Sequence, residues 1–393
     1  MIGYKQSDVG TIPNEWEAKS LIEIGETLIG LTYSPLEVRK YGTLVLRSSN
    51  VQNGILCFEN KVFVEAKIPE RIMVRPGDIL ICVRNGSRDL IGKSAMIDER
   101  AIGMTFGAFM GVFRSDFGNF LKHMFQSGIL KKQINEHLGA TINQITNSSL
   151  NSFKVPFPQS SEERSEIANT LNDFDKLLSV LDQVIAKKRN LKQATMQQLL
   201  NGRTRLPGFI GKWETKAFKH LLVRLHIKSH QIYTSNYQVS GKFPIVDQGK
   251  KLIVGFSDQE DKHFQPPEGG VIVFGDHTCI VKFIDFDFLM GADGIQVLHG
   301  KTGQNTRFYA FLLQYQGVKP TGYNRHFKFL KEREFVSPPL AEQIAIAKVL
   351  SDMDTELAIL EARRDKTRNL KNAMMQELLT GKTRLMKSEK MNA

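Results

Sequence analysis

The stretch from Asn190 to Leu206 reads NLKQATMQQLLNGRTRL, and that from Asn369 to Leu385 reads NLKNAMMQELLTGKTRL, an ungapped match displaced by 179 positions. Self-similarity at a fixed displacement marks a duplicated structural unit and constrains the fold before any local propensity does. Carried towards the N-terminus, the same displacement pairs Glu163 with Glu342, Ile167 with Ile346, Leu171 with Leu350, Asp173 with Asp352, Leu178 with Leu357 and Leu181 with Leu360. In the first copy Ile167, Leu171, Phe174, Leu178, Leu181 and Ile185 alternate steps of four and three, the stripe of a coiled-coil helix. Ile346, Leu350, Met353, Leu357 and Leu360 repeat it, with Arg364 in the place of Ile185, where the seam loosens. Ser160 and Glu163 predict a capping box at the first start, and Gly202 and Gly381 suit left-handed helix stops. A helix of about 40 residues, roughly 60 Å long, needs a packing partner. The other copy supplies one, as an antiparallel coiled coil.

Before and between the helices lie two segments that also correspond. In each, a turn feeds a buried strand: Pro76-Gly77-Asp78-Ile79-Leu80-Ile81 in the first, Gly269-Gly270-Val271-Ile272-Val273-Phe274 in the second. Polar residues follow, Arg84-Asn85-Gly86-Ser87 and Gly275-Asp276-His277-Thr278, then the pairs Gly107-Ala108 and Gly291-Ala292 and the exits Pro156-Phe157-Pro158 and Pro338-Pro339. The order is globule, helix, globule, helix, with boundaries expected at 1–159, 160–206, 207–337 and 338–385 and a tail at 386–393. If the helices are antiparallel, the C-terminus returns towards the N-terminus, and two unlike globules are held in a pseudo-two-fold, circular arrangement.

A chain of 393 residues exceeds one ordinary core, and 41% hydrophobic with 24% charged residues is a globular balance. Three scattered cysteines, Cys57, Cys82 and Cys279, give neither a zinc pattern nor a disulfide framework. Met1 to Gly10 lacks a signal-peptide layout and no apolar run is of membrane-spanning length, so a cytoplasmic location is expected. Lys and Arg outnumber Asp and Glu by 53 to 41, a net +12 that favours a polyanionic partner.

The layout resembles the specificity (S) subunits of type I restriction-modification systems, over essentially the whole chain. The resemblance rests on the openings Gly10-Thr11-Ile12-Pro13-Asn14-Glu15-Trp16-Glu17 and Pro207-Gly208-Phe209-Ile210-Gly211-Lys212-Trp213-Glu214, on VIVFGDHT from Val271 to Thr278, on GYNRHFK from Gly322 to Lys328, and on PPLAEQ from Pro338 to Gln343. The first exit departs from the last form, reading Phe157-Pro158-Gln159-Ser160-Ser161-Glu162-Glu163-Arg164. The resemblance implies an α+β fold: two mixed α/β target-recognition domains joined by two long helices packed as an antiparallel coiled coil. It implies non-catalytic reading of a bipartite, asymmetric double-stranded DNA target, with the helices setting the unread gap. It further implies docking of two methyltransferase subunits that methylate adenine with S-adenosylmethionine, and of restriction/translocase subunits that use ATP and Mg, with no cofactor, metal or membrane contact in this chain itself.

Signatures of independent chemistry are weak. Neither Pro-Pro pair carries the aromatic that holds a flipped base in adenine methyltransferases, since Glu268 and Leu340 follow them. Gly92-Lys93-Ser94 and Gly381-Lys382-Thr383 miss the phosphate-loop spacing. Asp258, Glu260, Asp261 and His263 form the best local metal-like cluster and read as a solvated loop. Asp276 and His277 are adjacent on a strand and point to opposite faces. A self-contained nuclease or methyltransferase and a coiled-coil adaptor unrelated to DNA are the alternative readings.

Base edges call for Arg or Lys towards guanine, Asn or Gln towards adenine, and small hydroxyls. The candidates in the first globule are Arg47, Ser48, Ser49 and Asn50; Arg84, Asn85, Ser87 and Arg88; and Asn143 and Gln144 beside the Gly139-Ala140-Thr141-Ile142 turn. In the second they are Asp247, Gln248, Lys250 and Lys251; His277 and Thr278; and Tyr323, Asn324, Arg325 and His326, with Lys250 and Lys251 better suited to phosphate. The clusters Lys187-Lys188-Arg189 and Arg363-Arg364 suit either a DNA backbone or a solvated helix face. Met196, Leu199, Leu200, Met374, Met375, Leu378 and Leu379 are expected in the core rather than at a docking surface.

Overall fold

The computed structural model describes residues 3–138, 143–291, 294–322 and 324–385. The chain divides into two compact units, Met1–Val180 with Arg363–Ala393, and Leu181–Ala362. Each unit contains one globule and one half of each long helix.

The helices run over Ser161–Leu199 and Leu340–Leu378, 39 residues apiece and in register with the 179-residue displacement. Both stop at left-handed glycines, Gly202 (φ +69°) and Gly381 (φ +70°), where a side chain would strain the backbone. At the first start only half of the capping box forms. The Glu163 amide donates to Ser160 Oγ at 3.2 Å, but the Glu163 carboxylate turns inward to Trp16 and Arg384. A buried indole N–H and a guanidinium hold a carboxylate better than a hydrated backbone amide does.

In the first unit a four-stranded antiparallel sheet runs in the order Ser94–Met96, Ile79–Cys82, Met110–Arg114, Glu26–Ile29. A second sheet sets Thr105–Phe106 parallel to Thr43–Leu46, followed by Phe63–Val64 and Val38–Arg39. Entry and exit are tied by Trp16–Ser20 against Lys154–Pro158. The second unit repeats the plan. Its four-stranded sheet is Leu222–Leu225, Ile295–Gly300, Val271–Gly275, Val281–Ile284. Leu289–Met290 lies parallel to Phe243–Val246, and Glu214–Ala217 pairs with Glu334–Ser337.

The unbroken apolar runs of the central strands follow from burial on both faces. Ile79 and Ile81 point into one core and Leu80 and Cys82 into another. Ile272 and Phe274 likewise face away from Val271 and Val273. A strand covered on both sides needs no polar alternation.

Within each unit the two helices pack antiparallel. In the first, Ile167, Ala168 and Leu171 share a core with Met375, Leu378 and Leu379. In the second, Leu199 and Leu200 share one with Ile346, Ala347 and Leu350. Ion pairs repeat under the displacement with the helices exchanged: Asp175 with Lys371 at 2.5 Å in one unit, Asp354 with Lys192 in the other. Arg364 is half-buried where the matching Ile185 is buried, and further along the second helix the polar Thr367 and Lys371 are buried.

The departure at the first exit has a physical counterpart. Gln343 is buried and its Nε2 donates to the Pro338 carbonyl at 2.9 Å. Arg164 stands at the matching position of the first copy and donates to the Pro158 carbonyl at 2.6 Å, with its guanidinium over Phe157. Different side chains bind the same turn.

Candidate nucleic-acid interface

Each buried central strand releases its chain into polar loops, and each globule gathers loops that are far apart in sequence. In the first unit the strand Thr43–Leu46 delivers Arg47 to Asn50, and the strand Ile79–Cys82 delivers Arg84 to Arg88. Gln144 pairs with Arg84 as an antiparallel bridge, and the Ile145 amide donates to the Val83 carbonyl at 2.8 Å. Asn85 Nδ2 donates to Ser48 Oγ at 3.3 Å, which ties the second loop to the first. All three sequence-chosen groups therefore meet in one patch. Arg84, Ser87, Arg88, Asn143 and Gln144 are exposed there, while Arg47, Ser48, Ser49 and Asn85 are half-buried. The Arg88 guanidinium rests on the Asn135 carbonyl at 3.2 Å, and Arg84 lies over the Phe109 ring.

Asn50 is a correction. It is fully buried, its Oδ1 accepts from the Arg47 amide at 2.9 Å, and its Nδ2 donates to the carbonyls of Cys57 and Asn60. The amide ties the loop and has no edge left for a base. A buried amide is retained where backbone groups satisfy it.

The second unit makes the same gathering with different residues. The Thr278 hydroxyl donates to the Gln248 carbonyl at 2.7 Å, and the His277 amide donates to Gln248 Oε1 at 3.3 Å. His277 Nδ1 faces the Asn324 carbonyl at 3.2 Å. Lys250, Lys251, Asn324 and Arg325 are exposed, and Asp247, Gln248, His277 and Thr278 are half-buried. Asp247 Oδ1 accepts from the Gly249 amide at 2.8 Å, and its backbone carbonyl accepts from buried Lys282 at 2.8 Å. Burial pushes the Lys282 ammonium below its usual pKa. Tyr323 lies outside the described residues, as do Gly139 to Ile142 and Ala292.

His326 is the second correction. It is fully buried, and the Thr321 amide donates to its Nε2 at 2.9 Å. Nε2 is therefore the acceptor nitrogen, so Nδ1 carries the proton and donates to the Asp276 carbonyl at 3.0 Å. Both ring nitrogens are used inside the fold.

Asp276, passed over as a reader, joins these loops. Its Oδ1 accepts from the Phe327 amide at 2.8 Å, its Oδ2 from Gln296 Nε2 at 3.2 Å, and its carbonyl from the His326 amide at 2.8 Å. Its carboxylate is held by Phe327 and Gln296, whereas His277 Nδ1 faces the Asn324 carbonyl. Arg224, His226 and Lys228 were also missed. With Asp276, Gln296 and Arg325 they line a cleft of about 320 Å³. Only Arg224 lies on a strand, the short Leu222–Leu225, and nothing in the local pattern marks the three as part of the patch.

The remaining candidates sort themselves. Lys188 pairs with Glu356 at 2.6 Å, Arg189 with Glu361, and Arg364 with Asp365, so these helix cations have acidic neighbours. Leu199, Leu200, Met375, Leu378 and Leu379 are buried, as expected of core. Glu260 pairs with Lys242 and His263 stacks on Phe243. Among the described residues no group of three or more His, Cys, Asp or Glu is placed to hold a metal, and no helix is long and apolar enough to cross a membrane.

The profile of the type I restriction modification DNA specificity domain matches residues 13–187 and 212–367, one copy for each globule with its following helix. The chain belongs to that family. Within the DNA specificity family it is 26% identical over 206 residues to the type I restriction enzyme EcoKI specificity subunit of Escherichia coli K12, covering 49% of this chain and 44% of that protein. The match to the StySPI specificity subunit of Salmonella potsdam also spans 44% of its length, so in both cases under half of the relative is covered. A putative type I restriction enzyme MjaX specificity subunit of Methanocaldococcus jannaschii is 24% identical over 444 residues, covering 97% of each. The fold is that of the crystal structure of the type-I restriction-modification system S subunit from M. genitalium, with TM-score 0.63 at 16% identity over 93% of this chain and 96% of that one. A chain from a structure titled for complex assembly and conformational transition of the type I R-M system shares the fold, with TM-score 0.51 at 17% identity, over 95% of this chain and 99% of that one.

Proposed function

We propose that this chain is the sequence-reading subunit of a type I restriction-modification complex. Each globule reads one half of a bipartite, asymmetric double-stranded DNA target, and partner subunits carry out the chemistry on it. Two methyltransferase subunits using S-adenosylmethionine methylate adenine, and restriction subunits using ATP and Mg cleave unmodified DNA. One observation supports this above the others: equivalent loops converge at equivalent places in the two units, yet display different side chains, Arg84, Ser87 and Gln144 against Lys250, Asn324 and Arg325. Duplicated scaffolds with unlike loops suit a target of two unlike halves. The net charge of +12 suits the phosphate attraction that dominates DNA affinity.

The test is single-molecule sequencing of adenine methylation in cells carrying the gene with its neighbouring methyltransferase, compared with cells lacking it. Loss of methylation from one split motif of unlike halves is the expected result. If the methyltransferase is active on other sequences and no motif changes on deletion, the chain does not direct methylation.

A further inference from the structure

The first globule holds a cavity of about 640 Å³ beside its reading loops. Tyr33 and Phe109 give it aromatic walls, and Arg47, Ser48, Ser49 and Asn60 give it a polar side. Two features set it apart from an ordinary surface dent. Among the described residues, neither Arg47 Nε nor Ser49 Oγ has a hydrogen-bond partner, although both atoms are buried. Buried polar groups are satisfied in the great majority of cases, and these two lie beneath the lining rather than on its open surface. In addition, Phe109 is 59% exposed, a large ring held at the rim of a polar patch with the Arg84 guanidinium 5.2 Å from its centroid. Flat aromatic faces together with a guanidinium and a hydroxyl form the set that holds an unstacked nucleobase, by stacking on its faces and hydrogen-bonding its edge.

The second globule argues against a generic crevice. Its cleft at the corresponding place, between the loop after Leu222–Leu225 and the loop entering Ile295–Gly300, is half the size and lined by Arg224, His226, Lys228 and Arg325. Three cations, Arg224, Lys228 and Arg325, dominate that lining beside the His226 imidazole, and the set suits a backbone phosphate. The two clefts therefore differ in chemistry: the Tyr33 and Phe109 rings in the first, and a mainly cationic lining in the second.

We propose that the Tyr33–Phe109 cavity receives one nucleobase of the first half-site, extruded from the duplex, at a position other than the adenine that the partner methylates. The inference rests on the DNA-reading function proposed above. Arg47, Ser48 and Asn60 then meet the base at its edge, and Tyr33 and Phe109 stack on its faces.

The experiment uses the full chain with its methyltransferase partner, without cofactor, on duplexes bearing the motif found by sequencing. An abasic residue is placed opposite each position in turn, leaving out the methylated adenine. Where a base is extruded, removing its pairing partner lowers the cost of extrusion and tightens binding. One position in the first half-site is expected to tighten, and none in the second. Thr32→Trp, an exposed lining residue that fills the cavity, abolishes the tightening. Phe109→Ala weakens binding of the intact motif by roughly ten- to a hundredfold, the scale of one base–aromatic stack. No tightening at any position, or tightening that survives Thr32→Trp, overturns the proposal. A comparison of intact motif with scrambled duplex separates the two levels: no preference for the motif defeats DNA reading itself, whereas preference without tightening defeats the cavity alone.

Discussion

The indole Nε1 of Trp16 donates to Oε2 of Glu163 at 3.0 Å, although 147 positions separate the two residues. Arg384 completes the group, with its Nη2 on the same oxygen at 2.9 Å and its guanidinium over the indole ring. In the second unit Trp213, Glu342 and Arg205 build the same clamp, with the indole bond at 3.1 Å. Glu342 and Arg384 are the displaced copies of Glu163 and Arg205, so each helix start is locked to the end of the other helix and to the opening of a globule.

Glu163→Ala leaves the Arg384 guanidinium, 8% exposed, without its main counter-charge and the Trp16 indole N–H without an acceptor. Removing one partner of a buried pair costs about 3–5 kcal/mol. Urea unfolding followed by tryptophan fluorescence should show the first unit losing about that much, while the Trp213 signal of the second stays in place. Glu163→Gln, which keeps an acceptor for the indole, should lose less.

Asp276→Ala should change specificity on one side only. It frees the Phe327 amide, the Gln296 amide and the loop before them, all in the second unit. Methylation sequencing should then find the second half of the motif degenerate and the first half intact, with discrimination falling about tenfold or more at the affected base pairs. Equal loss in both halves would contradict the assignment of one half to each unit.

Lys250 is exposed at a loop tip and suits phosphate rather than a base. Lys250→Ala should weaken binding to specific and random duplexes alike, and flatten the slope of log K against log salt by about 0.9. A loss confined to the cognate duplex would instead make Lys250 a base reader.

His123 gives the first unit an acid sensitivity. It is fully buried, and burial first, then the nearby Lys122 and Lys371 charges, push its pKa down to about 3. The unfolded chain takes up a proton near the usual histidine value of about 6.5 and the folded chain does not. Stability is therefore full above about pH 6.5 and falls as the pH drops from there towards 3, by up to about 1.4 kcal/mol per pH unit. His123→Gln retains a donor for Asn172 Oδ1, 3.0 Å away in the native protein. Between pH 6.5 and 5, where carboxylates stay ionised, the variant should lose less stability than the parent.

The helices were legible because a three-four apolar step and a 179-residue echo are local, periodic signals. The two-layer globules were legible in outline because turns and buried strands leave punctuation in a sequence. The clamps were not, since Glu163 meets Arg384 across 221 positions and its own neighbourhood reads as a capping box. Asn50 and His326 have the composition of readers but point inward, and residue type does not encode that direction. Asp276 and His277 are legible as facing apart on a strand, but the partners of Asp276 are not, since Gln296 and Phe327 lie 20 and 51 residues further along the chain.

The composition of the first unit also bears on the order in which the chain matures at the ribosome. Its core contains Met375, Leu378 and Leu379, and its clamp contains Arg384. The second unit needs nothing beyond Ala362. Nascent proteins generally fold the earlier of two domains first, but here the earlier globule is completed after the later one. Residues 3–180 keep part of their apolar surface uncovered until residues 375–384 have been made. A stop codon placed just after Ala362 would spare the second unit and leave the first incomplete.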